Sequence, residues 1–176
     1  MSPPPGRRHT ARMFLRYYVE LDLPTPQAQT LLLHAPTTWL PALADQAIQH
    51  AEPLLAETGI IVGPPHLHLT RHVTVHLGHP IQFPSKLSLP MTWEPHGWLL
   101  PRLDAELELG TLGSHRTQLA INGRYDPPLG TVGRTIDRLA LHRIAEATIK
   151  DFLDRLASTL QTPQPSLDGQ EAMPTR

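Results

Sequence analysis

The chain is 176 residues long, 40% apolar and 18% charged, with 15 basic and 16 acidic side chains and no cysteine. That length supports one domain with a real core, and the near-neutral balance supplies no field to gather DNA, RNA or anionic lipid, so no nucleic-acid partner is expected. The lack of cysteine excludes a disulfide framework, a thiolate metal site and a cysteine nucleophile. Twenty prolines are about twice the usual share. Six of them (Pro3, Pro4, Pro5, Pro163, Pro165 and Pro174) fall in ends without apolar periodicity. Disordered tails are therefore expected at 1–12 and 161–176, around a single domain at 13–160. Arg7 and Arg8 are followed by no apolar stretch of signal-peptide length, and no run approaches the ~20 apolar residues of a membrane span. The expectation is a soluble cytoplasmic protein, monomer or homodimer.

From Leu15 to Leu23 the residues alternate, with Leu15, Tyr17, Val19, Leu21 and Leu23 on one parity and Arg16, Tyr18, Glu20 and Asp22 on the other, as in a half-buried strand. Pro24 and Pro26 stop it. The stretch to Glu57 loses period two and collects alanine, leucine and glutamine. This predicts a short helix over about Gln27–Leu33 and a second after Pro36, capped by Thr37 or Thr38, with Trp39, Leu43, Ala47 and Ile48 near one face. Pro53 is expected to kink or end it. From His66 to Leu77 one parity carries Leu67, Leu69, Arg71, Val73, Val75 and Leu77, and the other His66, His68, Thr70, His72, Thr74 and His76, a strand with one buried and one wet face. After a turn at Gly78, His79 and Pro80, Leu87, Leu89, Met91 and Trp93 alternate with Lys86, Ser88, Pro90 and Thr92, a strand expected to be bulged or edge-placed at Pro90.

Two more alternating strands follow, Leu103–Leu109 and Thr117–Tyr125, with Gly110 and Gly113 punctuating the hairpin between them. Beyond the turn Asp126-Pro127-Pro128-Leu129-Gly130, the chain from Thr131 to Leu160 reads as one long helix. Its Ile149, Phe152, Leu153, Leu156 and Leu160 share one face, and Ile136, Leu139, Ala140 and Ala147 form an earlier, rotated stripe. A strand, two helices, an antiparallel meander and a covering C-terminal helix define an α+β two-layer fold.

This order, together with the segments Val73–Gly78 (VTVHLG), Leu89–Trp93 (LPMTW), Leu103–Leu109 (LDAELEL), Tyr125–Gly130 (YDPPLG), Asp137-Arg138-Leu139 and His142–Ala145 (HRIA), resembles the START-like or SRPBCC superfamily of polyketide cyclase and lipid-transport proteins. The resemblance covers roughly Leu15 to Leu160. It implies the helix-grip (START/Bet v 1-like) fold, a curved antiparallel sheet wrapped around the long C-terminal helix. It also implies an internal apolar cavity between the two, holding a lipid, sterol or polyketide-like molecule.

The inward parities independently carry large side chains suited to such a pocket, namely Tyr17, Val75, Leu89, Met91, Trp93, Leu107, Leu119 and Tyr125, and the same residues also suit a closed core. Arg71, Ile136 and His142 complete the candidate ligand-binding set. Arg71 is the one charge on an apolar parity, and it either meets an anionic head group or returns to water at a strand end. If the protein is instead an enzyme, a cyclase or dehydratase that holds a folded substrate while protons move, then Tyr17, Arg71, Tyr125 and His142 are the groups to carry it. A third reading is a structural or stress-response interaction protein using the row His66, His68, His72 and His76. That row lacks a third ligand type nearby and reads as a solvated or pH-responsive face rather than a metal site. Asp104, Glu106 and Glu108 oppose leucines and read as an outer face. No nucleotide, zinc-hydrolase or serine-hydrolase motif occurs, so no cofactor is expected.

Overall fold

The computed structural model describes residues 13–34, 36–57, 73–95, 102–125 and 138–162. In chain order these form β1 (Met13–Leu21), α1 (Thr25–His34), α2 (Pro36–Glu57), β2 (Val73–Leu77), β3 (Ile81–Gln82), β4 (Lys86–Pro95), β5 (Leu103–Thr111), β6 (Thr117–Tyr125) and α3 (Arg138–Gln161). The strands make one six-stranded antiparallel sheet ordered β1-β6-β5-β4-β2, with β3 also paired to β4. The fold is the expected α+β arrangement, an antiparallel sheet laid against a long C-terminal helix.

Period-two patterning decides which face is covered. Leu15 and Leu21, Leu87 to Trp93 at alternate positions, Leu103, Leu107 and Leu109, and Leu119, Ile121 and Tyr125 all lie buried on one side. Against them α3 sets Ile149, Phe152, Leu153, Leu156 and Leu160, whose 3–4 spacing makes one continuous stripe. The second helix adds Leu40, Leu43, Ala44, Ala47 and Ile48, and α1 adds Ala28 and Leu32, all in the same hydrophobic cluster. Each large aliphatic or aromatic side chain so buried is worth about 1.5–3 kcal/mol relative to exposure. Two polar ties fix the layers. The Asp45 carboxylate of α2 accepts the Val73 N–H at 2.8 Å, and the Thr117 hydroxyl donates to the Leu23 carbonyl at 2.7 Å while lying 3.0 Å from the Thr25 hydroxyl.

Several boundaries differ from the sequence expectation, each for a local reason. β1 starts at Met13 and ends at Leu21, because its ladder with β6 runs from Met13↔Tyr125 to Leu21↔Thr117. α1 starts at Thr25, with the Ala28 N–H on the Pro24 carbonyl at 3.0 Å, and Pro26 sits in the first turn, where a missing N–H costs nothing. α2 starts at Pro36 for the same reason, which places Thr37 and Thr38 inside the first turn rather than at a cap. It also continues past Pro53 to Glu57, so one lost rung is outweighed by packing against α3 and β2.

Pro90 is not bulged, since the β4–β5 register is unbroken from Lys86↔Gly110 to Trp93↔Leu103, and on its other side it is edge-placed, between the end of β2 and the start of β3. Its carbonyl accepts the Gly78 N–H at 2.8 Å. A strand residue directs N–H and C=O to the same neighbour, so the absent N–H falls in the gap between β2 and β3, where no rung is lost. Gly113 alone takes a left-handed turn conformation among the described residues, at φ 109°. The segment His66–His72, the Asp126–Gly130 turn, Ile136 and residues 1–12 and 163–176 lie outside the described residues.

Gly123 is the small inward residue of β6. A Cβ there would stand 2.9 Å from Leu103 Cδ1 and 3.1 Å from Ala105 Cβ. Leu103 can swing aside but the Ala105 Cβ cannot. Gly123→Ala is therefore expected to cost about 1 kcal/mol, the low end for overpacking. Urea unfolding measures it, and an unchanged midpoint would contradict the packing described.

Candidate functional site

Strand register sorts the inward residues into rows across the sheet. The first row is Met13, Tyr125, Leu103, Trp93 and Val75, and the second is Leu15, Gly123, Ala105, Met91 and Leu77. The third holds Tyr17, Ile121, Leu107 and Leu89, and the fourth Val19, Leu119, Leu109 and Leu87. Rows are two residues apart, roughly 7 Å, so Leu119 lies about 20 Å from Tyr125 along β6.

A cavity of about 40 Å³ opens at the first row. Leu15, Leu103, Trp93 and Tyr125 form its sheet side, Ile48 of α2 one wall, and Ala145, Thr148 and Ile149 of α3 the other. It has room for two or three waters, or for the leading end of an apolar molecule. The Trp93 ring is held by Phe152, with centroids 5.5 Å apart and planes tilted by 59°. Ala145 is the one wall residue that is only half-buried, which puts the opening beside it.

Tyr125 carries the hydroxyl of the sheet side. Only 2% of it is exposed, and its hydroxyl lies 2.7 Å from His142 Nδ1 and 3.3 Å from Met13 Sδ. The two rings stack, with centroids 6.1 Å apart. One turn further along α3, Glu146 Oε1 lies 3.1 Å from His142 Nε2. A carboxylate at that distance requires a proton on Nε2, so neutral His142 turns the Nδ1 lone pair to the Tyr125 O–H. Desolvation, and then the Glu146 charge, push the Tyr125 phenol up to about 12 from its ordinary 10.0. The Thr148 hydroxyl donates to the Ile144 carbonyl at 2.8 Å and keeps only lone pairs to offer.

Of the residues singled out from the sequence, Trp93 and Tyr125 line this cavity and His142 bonds to Tyr125. Val75 is half-buried at the far end of the first row, Met91 is in the second, and Leu89, Leu107 and Leu119 are packed in the third and fourth. Tyr17 is half-buried in the third row, away from the cavity, with its hydroxyl 3.5 Å from Asp154 Oδ1 and the Lys150 ammonium 5.3 Å from its ring centre. Arg71 and Ile136 lie outside the described residues. Met13, Leu15, Ile48, Leu103, Ala145, Glu146, Thr148 and Ile149 were not singled out as site residues. The spacing of Ala145, Glu146 and Ile149 from His142, at i+3, i+4 and i+7, was the available signal. His76 is exposed and 3.7 Å from Glu94, and among the described residues no group of three His, Asp or Glu is placed to hold a metal.

A wider, shallow hollow crosses the opposite face of the sheet. Arg16, Asn122 and Arg124 stand at one end of it, and Asp104, Glu106 and His76 at the other. Its carboxylates already have partners, Asp104 with Arg102 and Glu106 with Ser88, as a solvated outer face requires.

No family model and no curated protein matches the chain. Solved structures of similar fold include a ZhuI aromatase/cyclase from a Streptomyces species, 11% identical with a TM-score of 0.46 over 85% of this chain and 94% of that one. Ara h 8.0201 is 7% identical with a TM-score of 0.48, over 87% and 100%. Norcoclaurine synthase from Thalictrum flavum is 13% identical with a TM-score of 0.38, over 94% and 99%. No helix among the described residues is long and apolar enough to cross a membrane.

The raised phenol predicts an alkaline signature. Below pH 10 folded and unfolded chains both hold the Tyr125 proton, and between 10 and about 12 only the unfolded chain loses it. The stability that this group contributes is therefore present below the ordinary phenol value and lost as pH rises through the folded one. Melting curves from pH 9 to 12 should fall more steeply for the wild type than for Tyr125→Phe, and parallel curves would contradict the burial. Tyr125→Ala should cost about 3 to 5 kcal/mol, as buried aromatic truncations do.

Proposed function

We propose that the protein binds a hydrophobic small molecule, of lipid, sterol or polyketide-like class, between the sheet and α3. The end of that molecule would occupy the cavity beneath Ala145, and its polar atom would meet the Tyr125 hydroxyl. The observation that supports this reading is the cavity itself: aliphatic and aromatic walls from the sheet, α2 and α3, with few polar side chains among them, the hydroxyls of Tyr125 and Thr148 and the indole of Trp93. Few polar groups in an apolar hollow orient a ligand without demanding a charge from it.

Ala145→Leu places three more carbons at the opening. Calorimetric titration with indene, a small rigid hydrocarbon, is expected to lose at least about tenfold in affinity in this variant while the melting temperature stays or rises. Equal indene affinity in wild type and variant would set this cavity aside as the binding site.

A second reading has one observation in its favour. Glu146, His142 and Tyr125 form a hydrogen-bonded chain from the exposed surface to the cavity, the arrangement a proton-moving dehydratase or cyclase requires. Under this reading a β-hydroxy ketone such as diacetone alcohol is dehydrated by the wild type and not by His142→Gln. Dehydration that is the same in both proteins would remove His142 from the chemistry.

A further inference from the structure

The Tyr125 hydroxyl has one proton and, among the described residues, two acceptors within reach, His142 Nδ1 at 2.7 Å and Met13 Sδ at 3.3 Å. Which of them receives it depends on the imidazole. With His142 neutral, Glu146 holds the ring proton on Nε2 at 3.1 Å, so Nδ1 accepts and the phenol proton points at the ring. The phenol oxygen then shows the cavity only lone pairs. With His142 protonated, Nδ1 becomes a donor to the phenol oxygen, and the phenol proton must turn away. Its remaining directions are the thioether, a weak acceptor, and the cavity.

We infer that protonation of His142 reverses the hydrogen-bonding sense of the cavity, so that it selects ligands bearing an N–H or O–H donor when the imidazole is neutral and ligands bearing a carbonyl oxygen when it is charged. The inference rests on the ligand-binding reading above and names the chemistry that the site discriminates. The phenol itself stays protonated through this change, because burial holds it far above neutral pH. Thr148 cannot substitute for it, since its proton is committed to the Ile144 carbonyl.

The charged and titratable groups around the trio come from four elements. On α3, Arg143 and Lys150 share a surface groove with Glu146, and β1 contributes Arg16 and Tyr17 to the same groove. On β6, Arg124 points to the opposite face, over the Phe14 ring. The second helix turns Ile48 to the cavity and leaves Gln49 and His50 exposed. Glu146 is thus the anion in direct contact with His142 among the described residues, and Arg143, Lys150 and Arg16 share its groove.

Three bicyclic probes of one size separate the cases: indole, which can only donate; indanone, which can only accept; and indene, which does neither. Calorimetry at about pH 5 and about pH 8 brackets the titration of an imidazole. Indole is expected to bind about fivefold more tightly at the higher pH and indanone about fivefold more tightly at the lower, the worth of one net hydrogen bond. Indene should not change. Tyr125→Phe should flatten both trends, and His142→Gln should hold the preference constant between the two pH values. Indene binding without opposed trends for the other two overturns the inference and leaves the ligand-binding reading standing. Opposed trends that persist in Tyr125→Phe also overturn it. Failure of indene to bind at either pH overturns both.

Discussion

The ladder between β1 and β6 joins residues 96 to 112 positions apart, from Leu21↔Thr117 to Met13↔Tyr125, and most of the site hangs on its register. Side chains alternate faces along a strand, so a slip of one residue would carry Tyr125 to the outer face and bring Arg124 into the core. The same ladder brings the Met13 thioether to the phenol and Leu15 to the cavity wall. α3 can cover the sheet only once this pairing has placed the Tyr125 row beneath it. The cost of closing so long a loop is met by what the ladder then allows, the burial of Phe152, Leu153 and Leu156 against a complete sheet.

A phenol in an apolar wall is a compromise between packing and orientation. The ring contributes area and rigidity, while its hydroxyl would cost roughly 1–3 kcal/mol if left without a partner. His142 removes that cost, and Glu146 in turn fixes the imidazole tautomer. The three groups run from 2% exposure at Tyr125 to 56% at the Glu146 side chain, so the chain also crosses from dry interior to water in a single helical turn. Near Gly123, by contrast, space is left by omission. The missing Cβ leaves room for Leu103 Cδ1 beside β6, and Leu103 also lines the cavity.

Much of the architecture was legible because period two and period 3.6 are local signals. The alternations in β1, β4, β5 and β6 and the Ile149–Leu160 stripe could be read from neighbouring residues alone. The two-residue β3 was too short to show a period, and whether Pro90 sits at a bulge or at an edge depends on a gap between two other strands. The site was legible only in part, for a related reason. Parity says that Tyr125 and Leu119 both point inward, but only the cross-strand register and the helix seated on it say that one borders a cavity and the other a closed core. Met13 belongs to the site through a contact with Tyr125 that no local pattern announces.

The break at Gly78 and Pro90 bears on how the molecule meets its own copies. An unbroken outer strand along β4 would leave a long row of unpaired backbone groups, a template on which other chains add in register until fibrils form. Among the described residues the outer edge is instead cut into the five residues of β2 and the two of β3. Between them, the Pro90 ring packs so close that a Cβ on Gly78 would stand 3.0 Å from its own Cβ. Ile81 and Phe83 remain exposed on the short piece, and the Lys86 ammonium, 5.2 Å from the Phe83 ring centre, sets a charge in the path of any incoming strand. The irregularity that interrupts the sheet therefore also shortens the ladder this edge offers to a second copy, while the nine-residue β1 forms the other edge.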